Sequence, residues 1–125
     1  MPDETPKTAM IVDDEPDIRL LLHVALESHG YAVVAEAVDG LDALEQLQTH
    51  DPDVMIVDLA MPNLGGVDLM QRLRPSTRTP MVGYTAMASA EDQERLAELG
   101  IPLVHKMQGI DTLVRVLDSI TAPSS

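Results

Sequence analysis

Apolar positions in this chain fall into two kinds of pattern that take turns. Short unbroken runs read as buried strands, and stripes at three- and four-residue spacing read as helices packed on one side. Lys7 to Val12 (KTAMIV) is the first run and ends in Asp13-Asp14. Asp14-Glu15-Pro16 reads as a helix start, with Asp14 as N-cap and Pro16 in the first turn, and the helix runs to about Ser28 before Gly30 stops it. Ala32 to Ala37 is a second strand, Asp39-Gly40 a turn, and Leu41 to Thr49 a helix with Leu41, Leu44 and Leu47 on one face. Asp51-Pro52 breaks the chain, and Asp53 to Leu59 (DVMIVDL) is a third strand. Met61 to Gly66 is a loop with Pro and two Gly, and Val67 to Arg74 a short helix. Met81 to Thr85 is a fourth strand, Ala90 to Leu99 a helix stopped by Gly100, and Leu103 to His105 a fifth strand. Ile110, Leu113, Val114, Leu117 and Ile120 space as the face of a last helix.

Strands and helices that alternate strictly predict an α/β fold with a parallel sheet covered on both faces. The strands agree, because they are apolar throughout rather than every second residue. Five such units are too few for a closed eight-fold barrel, so the expected architecture is a single open, doubly wound, five-stranded parallel sheet with five helices. A chain of 125 residues holds one such domain. The expected organisation is a tail at 1–6, the domain at 7–121 and a tail or linker at 122–125.

Composition narrows the function by exclusion. Eight Lys+Arg against 21 Asp+Glu give a net charge of −13, which argues against binding a nucleic-acid backbone. Tyr31 and Tyr84 are the sole aromatics, too few for base stacking. Cysteine is absent, so disulfides and thiolate chemistry are excluded. No apolar run has the length of a membrane span, and MPDETPKT lacks the basic start and apolar stretch of a signal peptide, so a cytoplasmic location is expected. The acid is unevenly placed. Residues 1–62 hold 14 Asp+Glu and two bases, Lys7 and Arg19, a net of −12.

In an open sheet of this kind the site lies beyond the carboxyl ends of the strands. The first strand delivers Asp13 and Asp14 there, the third Asp58, the fourth Thr85 and the fifth Lys106. Three carboxylates brought together raise one another's pKa, and a hard divalent cation with oxygen ligands relieves the repulsion. The Lys ammonium and Thr hydroxyl remain for an anion. A carboxylate can act as a nucleophile and form an acyl phosphate, and phosphoryl transfer needs mainly positioning and charge neutralisation. The constellation therefore reads as an aspartyl-phosphorylation site. Ordinary solvated loop acids are the alternative, and strand-end placement speaks against it.

These residues resemble the receiver domain of bacterial two-component response regulators over about 7–121. The likeness rests on Ile11-Val12-Asp13-Asp14-Glu15, Asp58 closing the third strand, Met61-Pro62 followed by Gly66, Thr85-Ala86, and Lys106, five matches in order. The resemblance implies the flavodoxin-like strand order 2-1-3-4-5. It implies a signalling switch that catalyses only its own phosphorylation and dephosphorylation, rather than an enzyme with a free substrate. Asp58 would be the phosphoacceptor. Asp14 would hold Mg²⁺ (or Mn²⁺) directly and Asp13 through water, with Asp58 and the Ala60 carbonyl as further ligands. Lys106 would contact the phosphoryl group and Thr85 would move to bond it. The implied partners are a histidine kinase or histidine phosphotransfer protein, and a downstream effector. No direct nucleic-acid or membrane contact is implied, and a phosphorylation-dependent dimer fits the family.

The chain departs from the family pattern at three places. Met107 follows Lys106 where a proline is usual, so either a strained cis bond or a rearranged loop is expected. Leu103 stands where an aromatic switch residue is usual, so the signal is expected to leave by another route or weakly. Ala60 and Met87 follow Asp58 and Thr85 by two positions, where neither side chain can orient an attacking water, so slow self-dephosphorylation is expected. The four His are read as solvated surface at His23, His29 and His50, and as structural at His105. On the first helix Ile18, Leu21, Leu22, Ala25 and Leu26 form the expected buried stripe, which leaves Leu20 and Val24 outside it. That pair reads equally as scattered surface apolar residues or as a kinase-docking patch. Met10, Met55 and Met81 are expected to fill core space.

Three rivals fit less well. A haloacid-dehalogenase-type phosphatase needs a second acid where Ala60 stands. A flavin-binding flavodoxin needs Ser/Thr/Gly-rich phosphate loops and aromatics. A receiver that docks without phosphorylation draws support only from Met107 and Leu103. The sequence carries no effector domain, which suits either a single-domain regulator or a piece of a longer chain.

Overall fold

The computed structural model describes residues 5–122. The outermost residues of both expected tails, 1–4 and 123–125, lie outside them. Among the described residues the elements are β1 Lys7–Val12, α1 Pro16–Ser28, β2 Tyr31–Ala37, α2 Gly40–Gln46, β3 Val54–Val57, α3 Gly66–Leu73, β4 Met81–Thr85, α4 Ala90–Leu99, β5 Leu103–His105 and α5 Gly109–Ile120. A 3₁₀ turn, Lys106–Gln108, joins β5 to α5. The strands form one parallel sheet in the order β2-β1-β3-β4-β5. Strand order reverses between β1 and β3, which makes the cleft beyond their carboxyl ends the natural place for a site.

The alternation of side chains along each strand divides the core in two. Ala9, Ile11, Ile56, Val82 and Val104 meet Leu22 and Leu26 of α1 and Leu113 and Leu117 of α5. Met10, Val12, Val57 and Met81 face the other way, toward Ala43 of α2, Leu69 and Met70 of α3 and Leu96 of α4. Two helices thus cover one face and three the other. Met10, Met55 and Met81 all lie fully buried on the second face, where flexible thioethers fill space that aromatics do not.

The structure corrects several sequence expectations. Asp14 does not cap α1. The N-cap is Glu15, and its own amide donates instead to Asp13 Oδ1 at 2.9 Å, which leaves the exposed Asp14 carboxylate unused by the helix. Leu21 is not in the buried stripe and is 51% exposed. At 100° per residue it sits a quarter-turn from Leu22, and the stripe that meets the sheet is narrower than expected. In α2 the helix starts one residue early and ends three early. Asp39 is the N-cap, accepting from the Asp42 amide at 2.8 Å, and this register turns Leu41 outward while Leu44 and Leu47 pack. β3 is shorter at both ends than Asp53 to Leu59: the Asp53 carboxylate accepts from the Thr8 amide at 2.7 Å before the strand begins, and the regular strand ends at Val57. Tyr31 joins β2, α3 and α5 each begin a residue early, and α3 stops at Leu73.

Candidate functional site

Three polar or charged residues are buried among the described residues: Asp13, Asp58 and Thr85. All three stand at carboxyl ends of strands on either side of the switch point. Nothing in the packing requires polar groups there, and burying them costs free energy unless they are paired. Asp13 continues β1 by donating its amide to Ala37 O at 3.0 Å, and Asp58 continues β3 by donating to Val12 O at 2.9 Å. The backbone ladder therefore fixes how far each carboxylate reaches.

Asp13, Asp14 and Asp58 each offer a carboxylate oxygen within 4.8 Å of the others. Lys106 Nζ lies 3.1 Å from Asp13 Oδ2 and 3.5 Å from Asp58 Oδ2. The Lys106–Met107 peptide is trans, so the rearranged loop is the alternative adopted. Lys106 opens the 3₁₀ turn, in which the His105 amide donates to Gln108 Oε1 at 2.8 Å. This turn carries the ammonium to the acids without the usual proline.

Burial is the largest influence on Asp13 and pushes its carboxyl above the usual range. The Glu15 amide pulls it back, the Asp58 charge raises it again, and Lys106 lowers it. The net result is upward. Burial pulls the Lys106 ammonium down, but the Asp58 and Asp13 carboxylates outweigh that and leave it raised.

Asp58 Oδ1 is buried and has no hydrogen-bond partner. Such an oxygen is costly to leave bare, and it is the donor a cation or an electrophile would engage. Together with the all-oxygen donor set, it fits a hard divalent ion. The surrounding loop is tightly built. A Cβ on Gly66 would stand 2.0 Å from Asp58 O, so only glycine lets α3 start this close behind the acid. The Gly66 amide donates to Leu59 O at 3.0 Å, and Asn63, at φ 67°, donates from its side chain to Asp39 Oδ2 at 2.6 Å.

Thr85 reaches the same end of the sheet but turns away. Its hydroxyl donates to Met87 O at 3.0 Å, within its own loop. Met87 and Met107 are the most exposed large apolar residues here, at 80% and 93%. Leu103 is half-buried and packs beside Gly83, with its Cδ1 3.0 Å from where a Cβ would be. Tyr84 lies buried in the core on the α1/α5 face. Ala60 is exposed in the loop after Asp58.

Leu20 and Val24 are 65% and 60% exposed, and Leu21 joins them to make a three-residue apolar patch on α1. His23 is not simply solvated, since its Nδ1 lies 2.9 Å from Glu36 Oε2 on β2. His29 and His50 are exposed and His105 half-buried. One site residue escaped the sequence reading. Arg19 Nη1 donates to Asp13 O at 2.7 Å. Its being one of two bases in the acidic half was the available signal.

No helix among the described residues is long and apolar enough to cross a membrane. Two surface depressions of about 480 and 500 Å³, one lined by Lys7, His29 and Tyr31 and one by Arg74 and Arg78, lie at the amino ends of the strands, away from the acids.

Comparison with known proteins agrees with this geometry. The family model described as "Response regulator receiver domain" matches residues 9–118. The probable transcriptional regulator ycf27 of Guillardia theta is 39% identical over 97 residues, covering 78% of this chain and 38% of that protein. Transcriptional regulatory protein PdtaR of Mycobacterium tuberculosis is 35% identical over 95 residues, covering 76% and 46%. The chain thus spans less than half the length of these curated relatives. Among solved structures, Vibrio cholerae chemotaxis protein CheY4 aligns with a TM-score of 0.82 at 28% identity, covering 92% of this chain and 98% of that one. Response regulator protein TrrA of Thermotoga maritima, in complex with Mg(2+)-BeF, aligns with a TM-score of 0.80 at 27% identity, covering 91% and 98%. The fold, the buried acids at its switch point and these matches lead to one conclusion: the chain belongs to the response regulator receiver domain family of two-component signalling.

Proposed function

We propose that Asp58 accepts a phosphoryl group from a phosphohistidine on a partner kinase or phosphotransfer protein. The observation that carries this reading is the buried, unpartnered Oδ1 of Asp58 beside a lysine that already holds the other oxygen at 3.5 Å. Oδ1 forms a bond to phosphorus as the bond between phosphorus and the imidazole nitrogen breaks. The imidazole leaves with that electron pair and takes up a proton. The product is an acyl phosphate on Asp58.

Asp13, Asp14, Asp58 and the Ala60 carbonyl are the groups that would hold Mg²⁺ or Mn²⁺. When bound, the ion neutralises charge on the phosphoryl oxygens. Lys106 takes the phosphoryl oxygen nearest Asp58, so it holds charge both before and after transfer. The Thr85 hydroxyl exchanges Met87 O for a phosphoryl oxygen, which frees that loop. Leu103 has no ring to swing, so the change is read out chiefly at the loops carrying Met87 and Met107. This surface serves a downstream effector or a second, phosphorylated copy. Ala60 and Met87 place no group to aim a water, so the acyl phosphate persists. Leu20 and Val24 form the patch on which the kinase or phosphotransfer helix docks. The exchange takes place in the cytoplasm, and the domain itself makes no nucleic-acid or membrane contact.

The test is incubation with acetyl phosphate and Mg²⁺, read by intact mass. One added phosphoryl group is expected, absent in Asp58→Ala. No gain in the wild-type protein sinks the proposal. In the same assay, Leu20→Ser with Val24→Ser should slow transfer from the kinase and leave transfer from acetyl phosphate unchanged.

A further inference from the structure

The acidic half of the chain has two bases, and they stand at opposite ends of its structure. Lys7 opens β1 at the amino end of the sheet. Arg19, one turn into α1, turns back toward the carboxyl end. Its Nη1 donates to Asp13 O at 2.7 Å, and its Nε lies 3.7 Å from Glu36 Oε1 on β2. The Arg19 side chain is largely buried, with 18% of it exposed. Glu36 is itself held. His23 Nδ1 lies 2.9 Å from its other oxygen, and Gln46 Nε2 donates to its carbonyl at 2.7 Å. The arginine thus bridges one backbone oxygen and a carboxylate that His23 also contacts.

Every other polar group of Asp13 is already held. The Asp13 amide donates to Ala37 O at 3.0 Å, its Oδ1 accepts from the Glu15 amide at 2.9 Å, and its Oδ2 meets Lys106 at 3.1 Å. Without Arg19 the carbonyl would be the one free polar group on this residue. The peptide between Asp13 and Asp14 is planar, so holding the carbonyl also sets the direction in which the chain enters Asp14. Asp14 is exposed and receives no help from the helix it precedes.

We propose that Arg19 is a positioning residue, which holds the Asp13–Asp14 peptide so that both carboxylates converge on one divalent cation. The inference rests on the phosphoacceptor reading above, because it assumes that Asp13 and Asp14 ligate that ion. It has a sign that a simple charge effect lacks. Removing a cation near three carboxylates, by electrostatics alone, makes the site more attractive to Mg²⁺. Removing a positioning group makes it less attractive, and groups that orient metal ligands commonly matter by about tenfold or more.

The experiment is calorimetric titration of the full chain with Mg²⁺ for wild type, Arg19→Met, Arg19→Lys and Glu36→Gln, with thermal melts in EDTA alongside. Arg19→Met should raise the Mg²⁺ dissociation constant about tenfold. Arg19→Lys keeps one charged donor but not the fork that serves two partners, and should recover only part of the loss. Glu36→Gln leaves Arg19 present but poorly aimed, and should weaken binding about twofold to threefold. If Arg19→Met does not fold, Arg19→Lys, which keeps the charge, decides the matter, and Mg²⁺ binding as tight as in wild type then overturns the proposal. With acetyl phosphate, Arg19→Met should need more Mg²⁺ for half-maximal rate while the rate at saturating Mg²⁺ stays within about twofold of wild type. Tighter or unchanged Mg²⁺ binding in Arg19→Met, with or without a lower melting temperature, overturns the proposal. Wild-type protein that binds no Mg²⁺ and gains no phosphoryl group overturns the phosphoacceptor reading itself, a different result from a failure confined to the variants.

Discussion

The loop after β3 and the loops after β4 and β5 meet at one site but are built in opposite ways. The first is locked. Gly66 lies against the Asp58 carbonyl with no room for a methyl group, its amide holds Leu59 O, and Asn63 is tied to the N-cap of α2. The second pair is loosely held. The β4 loop is tied by the Thr85 hydroxyl to Met87 O and by Gln93 Nε2 to Ala88 O, and Met87 and Met107 stand in solvent. Lys106 is where the two regions touch, through its contacts to Asp13 and Asp58. The contrast separates two requirements. A phosphoacceptor must be held still to react, whereas a signal needs a segment whose contacts are few enough to trade.

The largest effect should come from crowding the locked loop. Gly66→Ala places a methyl group on backbone, which cannot rotate away, and should cost at least about 1–3 kcal/mol in urea unfolding, with phosphorylation strongly slowed. Gly65→Ala, whose new methyl would stand 3.3 Å from Leu59 O, should cost under about 1 kcal/mol. Equal costs for the two would show that the close approach of Gly66 to the Asp58 carbonyl is not what locks this loop.

Next in size is the lifetime of the acyl phosphate. Wild-type protein should lose phosphate slowly, and Ala60→Asn or Met87→Asn, by offering a group to orient water, should speed loss about tenfold. Loss from wild-type protein within seconds would contradict this.

The loose side can be examined by spectra of the resting protein and its beryllofluoride complex. Shifts should centre on residues 86–89 and 106–108 and be small at 101–105, since Leu103 has no ring to relocate. Large changes centred on 101–105 would reverse the assignment.

The smallest effect is on stability against pH in EDTA. The Asp13 carboxyl is raised above its unfolded value of 3.8, chiefly by burial. A raised group favours the folded state below the unfolded pKa, and that advantage is lost as pH rises through the folded pKa. The difference in stability between wild type and Asp13→Asn should therefore move against wild type as pH climbs from 3.8 through the folded value. Using the difference removes opposing contributions, such as that of Asp39, whose pKa is lowered by the Asp42 amide. Lys106 follows the same sign higher up, its contribution complete below 10.5 and lost as pH rises through its folded pKa. Mg²⁺ should flatten the acid-side trend, and identical curves with and without the metal would remove the repulsion argument.

Much of this was legible in sequence because it is local. Apolar runs and helical stripes gave the order of all ten elements, and α4, β4 and β5 fall where the pattern predicts. The rule that sites lie beyond the carboxyl ends of strands then collected Asp13, Asp14, Asp58, Thr85 and Lys106 with no contact information. Leu21 in the middle of α1 aside, what failed locally failed at element ends, where alternatives compete within a few residues. Asp before Glu-Pro is a good helix start and predicts Asp14 as the cap, yet the Asp13 carboxylate takes the Glu15 amide.

The sequence by itself therefore determined the fold class, the acidic balance and which residue types reach the site, since each follows from periodicity or chain order. Only the tertiary structure decided which oxygens are free and which are held. Lys106 meets Asp13 across 93 positions. Arg19 of α1 meets Glu36 of β2, and no group among the described residues hydrogen-bonds Asp58 Oδ1. Such contacts depend on the distance between side chains set by strand register and helix placement, and no local pattern encodes that distance.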